Sequence, residues 1–157
     1  MQRALRACVA ASAHSRHRAL RSQLVTRLLQ QAGFALETAA DGREAYDKLT
    51  AACEAGAPPH VALIDMMMPH WTGPDCARAF RAWEAQHRPG APPLPMICLT
   101  ANVLDEHRAE CEAAGYDGFV TKPLAGSMLP QLRARAEAFA AALAAHADAR
   151  ADASSGA

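Results

Sequence analysis

The chain has 157 residues, of which 51% are apolar and 20% are charged, and its 16 basic and 16 acidic side chains cancel. This composition predicts one soluble globular domain and excludes an intrinsically disordered chain. The charge balance gives no reason to expect nucleic acid or a membrane surface as a partner, and no apolar run approaches the roughly 20 residues that cross a bilayer, so we expect a cytoplasmic protein.

The predicted elements alternate between strand and helix along the chain. Short apolar runs predict strands at residues 4–10, 34–39, 61–65, 94–100 and 117–121. Helical spacing of apolar residues predicts helices at 15–32, 42–53, 73–85, 105–115 and 127–146. Because parallel strands need crossover connections, this order favours an α/β domain over residues 1–146, with helices on both faces of a parallel sheet. Residues 147–157 are expected to form a disordered tail.

The five cysteines are distributed singly among the predicted helices and strands. They are an odd number and include no close C-x-x-C pair. The spacing therefore argues against both a disulfide framework and a zinc site. We interpret them as reduced, small core residues.

Asp65 ends the third predicted strand, in the run VALIDMMMPH. Burying a carboxylate costs several kcal/mol unless partners meet it. Thr100 and Lys122 also fall at strand ends, and in a parallel sheet these ends lie along one edge. Taken singly, the three could be a turn residue, a loop hydroxyl and a surface cation; together they suit phosphoryl transfer to an aspartate.

Four motifs, in this order, resemble the receiver domains of bacterial two-component response regulators, specifically those attached to hybrid histidine kinases. They are AADGREA, LIDMMMPHWTG, LTANV and CEAAGYDGFVTKPL, and the resemblance covers residues 4 to about 143. It implies a flavodoxin-like three-layer sandwich with a five-stranded parallel sheet of order 2-1-3-4-5. It also implies a histidine kinase or a histidine phosphotransfer domain as partner, together with other domains of a parent protein that can be anchored in a membrane.

The resemblance assigns roles to individual residues. Asp65 matches the phosphoacceptor, Thr100 the switch hydroxyl, and Lys122 the lysine that neutralises the phosphoryl group. Phe119 matches the aromatic residue that rotates when the hydroxyl is drawn inward. Pro123 matches a proline that follows a cis peptide bond.

The first strand departs from the pattern of this family. A receiver domain of the usual kind carries two adjacent acidic residues there, which hold Mg²⁺ with the phosphoacceptor, whereas this chain has Ala10 and Ala11. Three carboxylates and a lysine total −2 and attract a divalent cation, but Asp65 and Lys122 alone already cancel. We therefore expect no cofactor, only weak Mg²⁺ binding if any, and slow or metal-independent phosphorylation of Asp65.

Several readings of the function stay open at this point. The first is a phosphorelay receiver, and the second is a pseudo-receiver that binds partners without phosphotransfer through its fourth helix, fifth strand and fifth helix. A flavodoxin-like cofactor binder, suggested loosely by AASAHS, is a distant third. The start of the first helix could also form a metal-free anion site. Its polar residues are Ser12, His14, Ser15, Arg16, His17 and Arg18.

Overall fold

Five parallel strands form the centre of the structure, which is a computed structural model. It describes the backbone of residues 4–11, 16–101 and 105–155, and the side chains of residues 4–11, 23–101 and 107–154. The strands lie in the order β2-β1-β3-β4-β5. Their bounds are β1 Leu5–Ala10, β2 Phe34–Ala39, β3 Val61–Asp65, β4 Met96–Thr100 and β5 Gly118–Thr121. The predicted flavodoxin-like strand order is confirmed.

Helices connect and cover these strands. They are α1 Arg16–Gln31, α2 Gly42–Glu54, α3 Gly73–His87, α4 Asp105–Ala114 and α5 Leu129–Ser155, with a short 3-10 turn at Gly126–Met128 before the last. No helix in the described part of the chain is both long and apolar enough to cross a membrane. The bounds of the first four helices agree closely with the predicted ones. Asp41 and Thr72 cap the starts of α2 and α3, and Gly33 and Gly115 follow the ends of α1 and α4.

The last helix differs from the prediction. A disordered tail was expected from residue 147, but α5 continues past His146 as far as Ser155. The segment 147–155 is rich in alanine and contains neither glycine nor proline. Alanine has the highest helix propensity, so nothing local stops the helix at His146.

The core lies on both faces of the sheet. All five residues of β3 are buried. Ile64 and Phe80 belong to one apolar cluster, and Leu63 and Leu29 belong to the other. This two-sided burial explains why the sequence of β3 is a continuous apolar run instead of an alternating one.

The cysteines are free thiols. Cys8, Cys76, Cys98 and Cys111 are buried, and Cys53 is partly buried. The prediction of reduced core cysteines is confirmed for the four buried residues.

Candidate functional site

Asp65 lies at the carboxyl end of β3 with 5% of its surface exposed. The Lys122 ammonium nitrogen contacts its Oδ2 atom. The backbone N–H of Met67 donates to its Oδ1 atom over 3.2 Å. The carboxylate is thus paired with a cation and held by a hydrogen bond, which is how a buried charge is tolerated.

Lys122 follows the end of β5 and reaches two other strands. Its backbone N–H donates to the Thr100 carbonyl oxygen over 2.7 Å, while its side chain reaches Asp65 on β3. The peptide bond between Lys122 and Pro123 is cis, as the resemblance implied. The ends of three strands are therefore joined at one residue.

Thr100 ends β4 and is 6% exposed. It follows Leu99, which lies opposite Asp65 in the β3–β4 ladder. The structure therefore brings the three predicted site residues to one edge of the sheet, with Asp65 and Lys122 in contact. Their roles in phosphoryl transfer stay predictions.

The loop after Asp65 returns closely onto the strand end. Gly73 N–H donates to the Met66 carbonyl oxygen over 3.1 Å. A Cβ atom on Gly73 would lie against the Asp65 carbonyl oxygen and 2.7 Å from the Tyr116 hydroxyl oxygen. Only glycine permits this approach, which fixes the start of α3 beside the site.

A capping box begins α3. The Thr72 hydroxyl accepts from the Asp75 N–H over 3.2 Å, and the Asp75 carboxylate accepts from the Thr72 N–H over 3.1 Å. Hydrogen bonds from the Thr72 side chain and backbone hold the pKa of the Asp75 carboxyl below its usual range. Both ends of the loop that follows Asp65 are thus fixed by local hydrogen bonds.

Phe119, the predicted switch aromatic, is partly buried in β5. The guanidinium carbon of Arg108, on α4, lies 4.8 Å from the centroid of its ring. Arg108 also pairs with Glu112, with 3.3 Å between Nε and Oε1. Arg108 was not predicted as a site residue, because no motif marks a contact that joins two elements across the fold.

The end of β1 provides no side-chain oxygen at Ala10 or Ala11, and both residues are buried. Ala10 lies opposite Ile64, the neighbour of Asp65. The carboxylate of Asp41, close in sequence to the end of β2, instead caps α2 by accepting from the Glu44 N–H over 2.9 Å.

Within residues 4–11, 23–101 and 107–154, no group of three or more histidine, cysteine, aspartate or glutamate side chains could hold a metal ion. These side chains therefore do not fit a Mg²⁺ ion held by several carboxylates. The expected lack of a resident metal stays a prediction. The hypothetical anion site also stays one, since residues 12–15 and the side chains of 16–18 lie outside the described part.

The sequence also matches the pattern of a known protein family, in addition to the strand order and the convergence of the strand ends described above. The pattern of the response regulator receiver domain matches residues 17–134, which is most of the chain. The chain belongs to the response regulator receiver domain family.

Curated relatives include response regulators and hybrid kinases. The chain is 35% identical over 121 residues to the response regulator MprA of Mycolicibacterium vanbaalenii, covering 77% of this chain and 46% of that protein. It is 32% identical over 72 residues to the sensor protein GacS of Pseudomonas syringae pv. syringae, covering 46% and 8%. It is 28% identical over 111 residues to the hybrid signal transduction histidine kinase M of Dictyostelium discoideum, covering 71% and 4%. The chain thus spans less than half the length of each.

Solved structures show the same fold. The chemotaxis protein CheY4 of Vibrio cholerae superimposes with a TM-score of 0.66 at 29% identity, covering 85% of this chain and 99% of that one. The receiver domain of a Pseudomonas aeruginosa sensor histidine kinase, which holds a magnesium ion in its active-site cleft, superimposes with a TM-score of 0.66 at 22% identity, covering 83% and 94%. The second likeness shows the fold alone.

Proposed function

We propose that this domain accepts a phosphoryl group from a phosphohistidine onto Asp65, and that Lys122, in place of a tightly bound Mg²⁺, supplies the positive charge at the site. The observation that carries the proposal is the contact between the Lys122 ammonium and the buried Asp65 carboxylate. The last residue of β1, Ala10, and the next residue, Ala11, offer no carboxylate beside it. We propose that phosphorylation is slow as a result.

The proposed reaction transfers the phosphoryl group from nitrogen to oxygen. An oxygen of the Asp65 carboxylate attacks phosphorus, an O–P bond forms, and the P–N bond to the donor imidazole breaks. The imidazole nitrogen keeps the bonding electron pair and takes up a proton. Lys122 neutralises charge on the transferred group, and the Thr100 hydroxyl donates a hydrogen bond to one of its oxygens.

Slow transfer is expected from the charges at the site. Asp65 and Lys122 cancel, so a divalent cation gains little electrostatic energy, and Ala10 and Ala11 offer it no ligands. Lewis-acid stabilisation of a phosphoryl oxygen is worth several kcal/mol, and each loss of about 1.4 kcal/mol lowers the rate tenfold. A receiver without it retains only the lysine and the hydrogen-bond donors.

A histidine phosphotransfer domain is the partner class that we propose. The yeast protein Ypd1, a histidine phosphotransfer signalling protein, forms a complex with the receiver domain of its downstream response regulator Ssk1. One chain of that complex superimposes on this chain with a TM-score of 0.67 at 17% identity. The relative kinase M is a hybrid signal transduction histidine kinase, which supports a hybrid kinase as the parent protein. A phosphorylated kinase domain would serve the same donor role.

A mass measurement tests phosphotransfer. We expect incubation with a phosphorylated histidine phosphotransfer domain to add about 80 Da for one phosphoryl group, and Asp65→Asn to abolish the adduct. Asp47→Asn is the matched control, because Asp47 is an exposed aspartate on α2. If no adduct forms at any Mg²⁺ concentration, or if it survives Asp65→Asn, the proposal is wrong.

A fluorescence titration tests the metal independently. Trp71 lies in the loop after Asp65, and Trp83→Phe would leave it as the only tryptophan, since the chain has two. We expect no saturable change with Mg²⁺ below the millimolar range. Saturation at lower concentrations would show that Mg²⁺ binds without the acidic pair.

A pseudo-receiver that acts through binding alone is the second candidate. It is favoured by the groove of about 320 Å³ between α4, β5 and α5, which is lined by Arg108, Gln131, Leu132 and Arg135 among others. Persistent failure to form the adduct, combined with a normal fold, would support this function over phosphotransfer.

A further inference from the structure

Two buried cysteines contact each other between the sheet and a helix that packs on it. Cys98 lies in β4 and Cys111 in α4, and both are at most 3% exposed. The Cys111 thiol donates to the Cys98 sulfur, with 3.0 Å between the two sulfur atoms. Because a disulfide bond is about 2.05 Å long, the sulfurs need to approach by only about 1 Å to bond.

We propose that Cys98 and Cys111 form a peroxide-sensitive dithiol that closes into a disulfide linking β4 to α4. The oxidant is a hydroperoxide, for example hydrogen peroxide. This modification site is separate from the phosphoacceptor and does not depend on phosphotransfer.

The two thiols differ in their access to solvent. Cys111 lines the groove between α4, β5 and α5, together with Arg108, Tyr116 and Phe119. Cys98 is completely buried behind it. A small hydroperoxide in the groove therefore meets Cys111 first, and Cys98 is placed to act as the second thiol.

The peroxide accepts the electrons that the two thiols lose. The Cys111 sulfur attacks one peroxide oxygen, the O–O bond breaks, and a sulfenic acid and one water form. The Cys98 sulfur then attacks the Cys111 sulfur, an S–S bond forms, and the hydroxyl leaves as a second water. Two thiols lose two electrons and two protons, and one peroxide is reduced to two waters.

Burial sets the rate of this reaction. Cys111 is only 3% exposed, which limits the access of peroxide to the first thiol. Burial raises the pKa of the Cys98 thiol, so little Cys98 thiolate is present at neutral pH for the second step. The pair is therefore expected to respond to sustained peroxide more than to a brief pulse. Its sulfurs are already in contact, so once Cys111 is oxidised the ring closes in preference to attack by another thiol.

The cross-link would act close to the phosphoacceptor edge. Cys98 precedes Thr100 by two residues, so both side chains point to the same face of the sheet. Cys98 also lies opposite Phe119 in the β4–β5 ladder. A disulfide would hold α4 against these two positions.

Peptide mapping of the oxidised wild-type chain tests the proposal without a variant. Trypsin cleaves after Arg108, between the two cysteines, so a disulfide joins two separate peptides. We expect peroxide to produce this joined pair, about 2 Da lighter than the sum of the two thiol peptides, and dithiothreitol to restore both thiols. Cys53, which is partly exposed, reports that oxidant was present.

Variants identify the order of events. Cys98→Ala should leave a Cys111 sulfenic acid that dimedone traps, whereas Cys111→Ala should leave Cys98 reduced. Cys76→Ala is the matched control, since Cys76 is also buried in this core and should not change the cross-link. The proposal is wrong if Cys98 and Cys111 both remain thiols after prolonged exposure to peroxide that has oxidised Cys53 completely, or if the joined peptides contain another cysteine pair.

Discussion

The guanidinium of Arg108 lies over the ring of Phe119, with 4.8 Å between the guanidinium carbon and the ring centroid. The contact joins α4 to the residue that resembles the rotating aromatic of receiver domains. The contact stabilises the Phe119 ring in the partly exposed position that the structure shows. A cation–π contact at an exposed site is worth about 0.5–1 kcal/mol.

Removing this contact should release the ring. We expect Arg108→Ala to raise the population of inward Phe119 conformers about threefold, seen as stronger NMR contacts between the ring and the Thr100 methyl group. Glu112→Gln is the control, because it removes the ion pair with Arg108 but keeps the guanidinium. Equal ring behaviour in Arg108→Ala and the wild type would show that the contact does not hold Phe119.

Lys122→Met should destabilise the fold, because it leaves the Asp65 carboxylate buried without its cation. We expect a loss of about 3 kcal/mol in the free energy of unfolding, measured by urea denaturation. Adding Asp65→Asn should recover part of that loss, since the unpaired charge is then removed. Additive losses in the double variant would contradict an energetic coupling between the two residues.

Gly73→Ala should destabilise the loop after the phosphoacceptor. The added methyl group meets the Asp65 carbonyl oxygen and the Tyr116 hydroxyl, and overpacking of this kind costs about 1–3 kcal/mol. Gly126→Ala is the matched control, since its added Cβ would have nothing within 4 Å. Similar urea midpoints for the two variants would rule out the close approach at Gly73.

Asp75→Asn should lower stability in a pH-dependent way. The pKa of Asp75 is lowered in the folded chain. Its carboxylate therefore stabilises the fold above the ordinary aspartate pKa of about 4. This stabilisation is lost as the pH falls from there through the pKa of Asp75 in the folded state. We expect a difference from the wild type at pH 7 that shrinks below about pH 4. Asp47→Asn, on exposed α2, is the control, and a difference independent of pH would exclude the carboxylate as the cause.

Restoring acids at the end of β1 should create a metal requirement. Ala10→Asp combined with Ala11→Asp places two more carboxylates beside Asp65. We expect the melting temperature of this double variant to fall below that of the wild type in chelator and to recover in Mg²⁺. A ligand that binds the folded state stabilises it. Wild type should show no such shift. Ala10→Asn with Ala11→Asn controls for size, and an equal Mg²⁺ effect in that variant would show that charge is not the reason.

Most of the fold was predictable because its signals are local. The apolar run of β3 and the capping residues Asp41 and Thr72 mark elements within a few positions of the sequence. The length of α5 was missed because alanine-rich polar segments carry no strong stop or core signal. The Arg108–Phe119 and Cys98–Cys111 contacts depend on how α4 packs, which no short motif encodes. The convergence of Asp65 and Lys122 was predictable only because parallel strands end along one edge.

Lys122 touches Asp65 with its side chain and holds the Thr100 carbonyl with its backbone. A new negative group on Asp65 would attract the Lys122 ammonium. Because the Lys122 backbone is hydrogen-bonded to β4, a chemical change at the centre of the sheet would then move residues at its β5 edge. Lys122 is thus a single residue through which a change of charge at Asp65 would shift the position of the segment after β5. A partner bound along that edge could sense the state of Asp65 without contacting it.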